Sequence, residues 1–261
     1  MQILPTEFAL IQDILILIVV LIVVLLFITF MYVMRKKEVI SQYFSRKLIH
    51  ICAGPTFVLS FIFYSGSWFS PYIASILPGI FALLFFLIGA GIIKNEHFVH
   101  SMSRSGDPRE LLRGTFYYAC IGGIVTLFFW TSYPPTASSS PISIVIISTL
   151  ALGDGLADIV GRKVNKMNFK ILAKKSVPGT LTMFISSIIT CIFGFLFFGF
   201  TLQSVFSLSL IAILFATIVE AASPRETDNI TIPITVILTF IILTPILVPT
   251  ASWSVFYIHL P

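Results

Sequence analysis

Residues 14–34 form a continuous apolar segment without a charged side chain; Asp13 precedes it and Arg35 follows it. An α-helix needs about 20 apolar residues to cross the hydrocarbon core of a bilayer. Seven further apolar segments follow, at about 48–64, 73–93, 114–130, 142–157, 179–200, 205–222 and 230–248. The sequence therefore predicts an all-α fold, a polytopic transmembrane helical bundle of about eight crossings.

The composition leaves no room for a separate soluble domain. Of the 261 residues, 57% are hydrophobic and 10% charged, whereas soluble domains have about 25% charged residues. We predict a single integral membrane domain over residues 1–261, in which residues 1–45 are the first crossing and its basic loop. Three cysteines lie inside apolar segments with no paired spacing, so we predict packing residues rather than a disulfide or a zinc site; they are Cys52, Cys120 and Cys191.

The positive charges predict the orientation of the bundle. All 16 Lys and Arg residues lie in four loops between predicted crossings, at residues 35–47, 94–113, 162–175 and 225. With eight crossings these loops share one side of the membrane, which we call the basic face. Positive loops favour the cytoplasm, so we predict a cytoplasmic basic face and both termini outside. Nucleic acid is not an expected partner, because the basic residues lie in short loops beside membrane helices.

The predicted location is the plasma membrane or the endoplasmic reticulum. The first apolar segment has no basic residue before it and is too long for a secretory signal. We therefore expect it to remain as the first crossing, and we do not expect a transit peptide.

Residues 153–180 concentrate the chemistry-bearing side chains. Asp154 and Asp158 are four residues apart, which places them on one face of a helix with their Cβ atoms about 5–6 Å apart. Two carboxylates at a membrane boundary repel each other, and a bound cation would compensate. Mg²⁺ prefers such oxygen ligands. The alternative is a structural cluster in which both acids pair with Arg162 and Lys163.

Glycines, cations and hydroxyls surround this acid pair. Gly153 and Gly155 flank Asp154 and either let a ligand approach the backbone or let helices pack closely. The positions before the next helix could bind phosphate at a helix N-terminus; they are Lys174, Lys175, Ser176, Gly179 and Thr180. For Lys166 and Lys170 we predict solvated loop positions. The segment as a whole predicts a site for a metal-bound polyphosphate at the basic face, although the glycine pattern of a Walker A loop is absent.

Two further polar patches are predicted on the same face. Arg109 and Arg113 lie four residues apart and could grip phosphate, or pair with Glu110. His50, near the start of the second crossing, could be a base or a phosphate contact, or a structural histidine.

The second patch joins the end of the seventh crossing to the start of the eighth. Glu220 lies inside an apolar segment, and Asp228 and Asn229 open the next one. An acid within a membrane segment predicts a functional site, and an ion pair with Arg225 is the alternative. We expect this patch, the arginine patch and residues 153–180 to converge on one site.

These residues resemble the membrane-bound CTP-dependent polyprenol kinases, the family of phytol kinase, farnesol kinase and dolichol kinase. The resemblance spans residues 46–233 and rests on five motifs in the order of that family. They are RKLIH at 46–50, RELLRG at 109–114 with Tyr117 and Tyr118, GDGLADIVGRK at 153–163, KSVPGT at 175–180, and the segment from Glu220 through TDNITIP at 227–233. Pro178 departs from the alanine that is frequent there.

The resemblance implies transfer of the γ-phosphate of CTP to the hydroxyl of an isoprenoid alcohol, with Mg²⁺ as cofactor. It implies that Asp154 and Asp158 hold the metal, that Lys175, Arg162 and Arg113 stabilise the phosphates, and that Asp154, Glu220 or Asp228 orients the acceptor hydroxyl. Nucleotide or phosphate contacts are expected from the remaining candidates, namely Gly153, Gly155, Lys163, Lys174, Ser176, Gly179, Thr180, Arg109, Asn229 and His50.

Two other enzymes and one non-enzyme remain as alternatives. A CTP-dependent diacylglycerol kinase and a phosphatidate cytidylyltransferase would also combine acids and lysines with a membrane bundle. A transporter would use Asp154, Asp158 and Glu220 as coupling acids near the midplane. The position of these acids beside basic loops favours an enzyme.

Overall fold

The computed structural model describes residues 3–164, 167–171, 174–224 and 227–257, so Lys166 and Arg225 lie outside the described residues. Within these ranges eight helical segments are long and apolar enough to cross a membrane. They are Thr6–Lys36, Gln42–Phe63, Ser70–Gly89, Pro108–Phe128, Ile142–Val164, Val177–Phe198, Leu202–Ala222 and Asp228–Leu247. The prediction of an all-α bundle with eight crossings is confirmed, while the side on which the termini lie stays a prediction.

Ten α-helices are described. In chain order they are α1 (Ala9–Lys36), α2 (Gln42–Leu59), α3 (Ser70–Gly89), α4 (Glu96–Met102), α5 (Gly114–Phe128), α6 (Ile142–Ile147), α7 (Asp154–Val164), α8 (Val177–Phe198), α9 (Leu202–Ala222) and α10 (Asp228–Leu247). Short 3₁₀ segments precede α1, follow α2 and precede α5 at Thr6–Phe8, Ser60–Phe63 and Pro108–Leu112. Helices α3 and α5 pack together, as do α7 with α8 and α9 with α10.

The fifth crossing is composite. A π-helical segment, Ser148–Gly153, joins α6 to α7. Single π turns inside α-helices often occur at functional sites. The crossing continues to Val164, beyond the expected end at residue 157. The first acid does not end it, because Asp154 is buried where α7 begins.

Two elements on the basic face were expected as loops. Helix α4 forms because Phe98, Val99 and Met102 share one buried face that packs against α1 and α2. After α7 the chain forms an antiparallel hairpin of β1 (Asn168–Lys170) and β2 (Lys174–Ser176). The hairpin carries the lysines of the central segment to the start of α8.

Glycines set the distance between α7 and α8. A Cβ atom at Gly179 would lie 2.9 Å from the carbonyl oxygen of Ala157, and one at Gly161 would lie 2.8 Å from Oγ of Ser176. Both distances are too short for a side chain, so the two helices can cross this closely only with glycine. The crossing holds the start of α8 against the acidic helix α7.

Candidate active site

A polar cavity opens at the basic face between α7, the hairpin and the ends of α8, α9 and α10. Acids, cations and small residues from these elements line it. The lining residues are Lys47, Arg104, Asp154, Ala157, Asp158, Gly161, Arg162, Asn168, Lys174, Lys175, Ser176, Gly179, Thr180, Glu220 and Asp228. The central segment and the Glu220–Asp228 patch therefore converge as the sequence predicted.

A second, largely apolar cavity runs from the same place into the bundle. Its walls come from α1, α2, α3, α5 and α6, with residues such as Ile28, Phe57, Phe81 and Val125. Lys47, Arg104, Asp154 and Asp228 line both cavities. The two cavities thus meet at these four charged residues, with apolar lining on one side and polar lining on the other.

Three buried or half-buried acids face each other at this junction. Carboxylate oxygens of Asp154, Glu220 and Asp228 all lie within 4.8 Å of one another. We call these three residues the acid triad. Like charges so close favour a bound cation or a shared proton. Of the predicted pair, Asp154 belongs to the triad, where it meets one acid from α9 and one from α10. Asp158 lies outside the triad.

Lys47 is the cation that ties the junction together. Its Nζ atom lies 3.0 Å from Oδ2 of Asp158 and 3.5 Å from Oδ2 of Asp154. Lys47 belongs to α2, and its side chain is buried. The sequence predicts a loop cation at Lys47, because it precedes an apolar segment. Its spacing of three residues from His50, on one helical face, is the signal that could have identified it.

Asp158 is held in place by a neighbouring arginine. Oδ1 of Asp158 accepts a hydrogen bond of 2.9 Å from Nε of Arg162, one helical turn later. The guanidinium of Arg162 in turn lies 4.3 Å from the centre of the Tyr43 ring, a cation–π distance. The alternative of a structural cluster therefore holds for the pair of Asp158 and Arg162. It does not extend to Lys163, which is exposed and lines neither cavity.

The hairpin supplies the lysines of the polar cavity. Nζ of Lys175 forms an ion pair with Oε1 of Glu220. Burial alone would lower the pKa of Lys175, but the carboxylate of Glu220 outweighs burial and raises the pKa, so the ammonium stays charged. Lys174 is exposed at the cavity rim. Among the described residues the ion-pair partner of Glu220 is Lys175, and the alternative partner Arg225 lies outside the described residues.

Hydroxyl groups lie at the start of α8. Oγ of Ser176 accepts a hydrogen bond of 3.2 Å from the backbone N–H of Gly179 and so caps the helix. Oγ1 of Thr180 is buried in the polar cavity and has no hydrogen-bond partner among the described residues. Thr180 can therefore donate to a bound anion, and Ser176, whose oxygen accepts from Gly179, keeps its own O–H as a donor.

Gly153 and Gly155 serve helix packing. A Cβ atom at Gly153 would collide with the side chain of Ser187, and one at Gly155 with the side chain of Ile51. Neither glycine lines either cavity. The expectation of close ligand approach at these glycines is therefore corrected to the packing alternative, because neighbouring helices fill the space.

The arginine patch lies away from the junction. Arg109 and Arg113 are exposed and line neither cavity. Glu110 lies 3.9 Å from Arg46 instead of pairing with them, and it accepts hydrogen bonds from the loop at Arg104 and Ser105. Within the described chain, the arginine that reaches the site from this loop is Arg104, which sequence analysis did not single out.

His50 and Asn229 are held by backbone groups near the junction. Nε2 of His50 donates to the carbonyl of Leu150 in the π segment at 2.8 Å and lies 3.8 Å from Oδ2 of Asp154. Nδ2 of Asn229 donates to the carbonyl of Gly114 at 2.9 Å. Because that carbonyl can only accept, the other amide atom is Oδ1, which is buried without a partner in the described part of the chain. Both side chains line the apolar cavity.

Comparison with known proteins finds similar plant enzymes. The chain is 38% identical over 211 residues to "Probable phytol kinase 2, chloroplastic" of Oryza sativa subsp. japonica, covering 77% of the chain and 66% of the relative. It is 33% identical to "Phytol kinase 1, chloroplastic" of Arabidopsis thaliana, covering 78% of the chain and 68% of the relative. It is also 33% identical to "Farnesol kinase, chloroplastic" of Arabidopsis thaliana, covering 77% of the chain and 65% of the relative. The chain thus spans about two thirds of the length of these relatives.

No family model and no solved structure matches the chain.

The names of the relatives overturn the predicted location. They are called chloroplastic, which points to a chloroplast membrane, so the prediction of the plasma membrane or the endoplasmic reticulum is wrong.

Proposed function

The chain belongs to the family of phytol and farnesol kinases, and from this we propose that it transfers the γ-phosphate of CTP to the hydroxyl of an isoprenoid alcohol. The observation that supports this most is the meeting of a polar and an apolar cavity at Lys47, Arg104, Asp154 and Asp228. A kinase for a lipid alcohol needs a charged donor site and an apolar acceptor site within bonding distance. The junction offers both.

The apolar cavity takes the isoprenoid chain and presents its hydroxyl at the junction. Two oxygen acceptors lie there, the carboxylate of Asp228 and Oδ1 of Asn229. Within the described chain no lysine or arginine forms an ion pair with Asp228; its Oδ1 accepts from the backbone N–H of Asn229. Of the three candidate acids, Asp228 is therefore the one we assign to receive the hydroxyl proton.

The polar cavity takes the triphosphate. Lys47, Lys174 and Lys175 supply positive charge to its walls, and the buried hydroxyl of Thr180 can donate to a phosphate oxygen. Phosphoryl transfer depends mostly on positioning and on neutralising charge. These side chains provide that without a covalent nucleophile.

The acid triad fits a magnesium ion. Three carboxylates meet within 4.8 Å, and Mg²⁺ commonly takes one or two carboxylates together with phosphate oxygens and water. We assign Asp154 and Glu220 as ligands, and Asp158 as the residue that positions Lys47. A bound Mg²⁺ would neutralise charge on the β- and γ-phosphates.

The reaction balances with these groups. The alcohol oxygen forms a bond to the γ-phosphorus, the bond between that phosphorus and the β,γ-bridging oxygen breaks, and CDP leaves. The hydroxyl proton passes to Asp228. Lys47 and Lys175 face the charge that develops on the leaving phosphate.

The position of the transferred label tests the function. Purified protein is given farnesol, phytol or diacylglycerol with CTP labelled at the γ- or the α-phosphate. We expect label in the isoprenyl product from γ-labelled CTP alone. Label entering lipid only from the α position would instead indicate a cytidylyltransferase, and phosphorylation of diacylglycerol alone would indicate the other kinase. Unlabelled ATP and GTP as competitors test the preference for CTP.

A further inference from the structure

The apolar cavity has a defined depth. It is lined on α2 from Lys47 to Val58 and on α5 from Gly114 to Thr126. The third wall runs from Asp154, at the start of α7, back through the π segment to Ser143 in α6. A helix rises about 1.5 Å per residue, so each wall extends roughly 16 Å from the charged junction. The deep end therefore lies well inside the membrane.

Within the described chain, the hydroxyl groups that line the deep end already have hydrogen-bond partners. Oγ1 of Thr126 donates to the carbonyl of Gly122 at 2.7 Å, and the hydroxyl of Ser143 is bonded to Thr131. The remaining deep lining is apolar, including Phe57, Val58 and Leu77. A hydrocarbon chain satisfies this end of the cavity.

Three aromatic side chains pack against one another about one helical turn beyond the lined walls. Phe61 and Trp130 stack with their ring centres 4.2 Å apart, and Tyr64 packs edge-on against Trp130 at 5.6 Å. All three are almost completely buried, and none lines the cavity. We call these residues the aromatic floor. Phe57, the last aromatic of the cavity wall on α2, meets Phe61 edge-on at 5.2 Å.

The depth can be compared with isoprenoid chains. Phe61 lies fourteen positions after Lys47, roughly 21 Å along α2. An extended carbon chain advances about 1.2 Å per bond, since three backbone bonds span about 3.5 Å. The main chain of a C15 alcohol thus needs roughly 13 Å, that of a C20 alcohol roughly 18 Å, and that of a C25 alcohol roughly 23 Å. The first ends within the lined walls, which extend roughly 16 Å. The second reaches the layer between those walls and the floor, and the third passes the level of Phe61.

We propose that the aromatic floor of Phe61, Tyr64 and Trp130 sets the acceptor length, admitting isoprenoid alcohols of up to about 20 carbons and excluding longer polyprenols. This inference rests on the proposed function, because it assumes that the hydroxyl is held at the Lys47–Asp228 junction. Phe61 is the specificity-determining residue, since it lies directly beneath the wall residues Phe57 and Val58.

The test measures kcat/KM for farnesol, geranylgeraniol and a polyprenol of about 35 carbons in wild-type protein and three variants. In wild type, kcat/KM should fall at least about tenfold from the C20 to the C35 alcohol. Phe61→Ala should raise the C35-to-C15 ratio at least about tenfold. The matched control is Phe195→Ala, which removes an equally buried ring on α8 that lines neither cavity; its ratio should stay that of wild type.

A cavity-filling variant keeps the test decisive where Phe61→Ala folds poorly. Val58→Phe adds volume at the deep end, and it should reduce kcat/KM for the C20 alcohol at least about tenfold relative to the C15 alcohol. Equal use of C15, C20 and C35 alcohols by wild type, or a Val58→Phe variant with unchanged ratios, overturns the inference while leaving the kinase function in place. A wild type that phosphorylates none of these alcohols overturns both.

Discussion

Two buried acidic sites lie at opposite ends of the bundle and have opposite surroundings. Asp13, near the start of α1, is completely buried. Its Oδ1 accepts from the backbone N–H of Ser65 at 2.7 Å and its Oδ2 from the hydroxyl of Ser70 at 2.6 Å. It lines neither cavity. The acid triad instead meets lysines and open cavity space.

The difference shows which buried acids indicate function. A carboxylate whose oxygens accept from neutral donors of its own scaffold is stabilised in place and has no need of a ligand. The triad brings three acids together, and like charges so close favour a bound cation or a shared proton. Burial of an acid within the membrane segment is common to both sites, so burial alone does not separate them.

The largest expected effect follows from removing the cation of the junction. Lys47→Met leaves Asp154 and Asp158 without their shared ammonium, and we expect kcat to fall at least about 10³-fold, as when a preorganised charge at the reacting group is lost. Steady-state phosphorylation of farnesol measures it. Lys163→Met, at an exposed position of α7, is the control and should retain wild-type turnover.

Asp228→Asn tests the assigned proton acceptor. We expect kcat to fall about 10²- to 10³-fold, within the range for loss of a general base, with little change in the KM for CTP. Asn229→Ala should instead raise the KM for the alcohol, because it removes the hydrogen bond that holds the start of α10 against Gly114, a wall residue of the apolar cavity. Equal effects of the two substitutions on KM alone would argue against the assignment of Asp228.

Asp158→Asn should have an intermediate effect. Asp158 holds Lys47 and Arg162 but does not belong to the acid triad, so we expect a loss of about 10- to 100-fold in kcat through misplacement of Lys47. Arg109→Ala is the control, because Arg109 lines neither cavity. Complete loss of turnover in Asp158→Asn would restore the predicted role of Asp158 as a metal ligand.

Asp13→Asn should affect stability and leave turnover near wild type. The substitution places an amide group against a donor at Ser65 or Ser70, and an unsatisfied buried donor costs about 1–3 kcal/mol. The midpoint of unfolding in detergent measures this loss. A drop in turnover of folded Asp13→Asn protein would break the contrast between the two acidic sites.

The sequence was enough to predict the bundle and part of the site. Long apolar segments separated by basic loops predict eight crossings. Asp154 and Glu220 stand out because charges are rare in such segments, and Lys175 and Asp228 because they come just before a crossing. Lys47 was missed because a lysine before an apolar segment also suits a topological role, and only the packing of α2 against α7 brings it to the acids.

Other errors have the same origin in packing. Gly153 and Gly155 could have faced a ligand or a helix, and the choice depends on Ser187 and Ile51, which are distant in sequence. Arg109 and Arg113 share the basic face with the site, but a shared face does not imply a shared cavity. Both cavities and the aromatic floor depend on helix crossings that no single segment encodes.

The rate of γ-phosphate transfer from CTP to farnesol in Asp154→Asn, measured in a single turnover beside wild type and Asp13→Asn, tests the central claim that the acid triad is the reaction centre. The account predicts labelled farnesyl phosphate at similar rates in wild type and Asp13→Asn. It predicts transfer at least about 10³-fold slower in Asp154→Asn, with an unchanged midpoint of unfolding. Transfer at the wild-type rate in Asp154→Asn would contradict it.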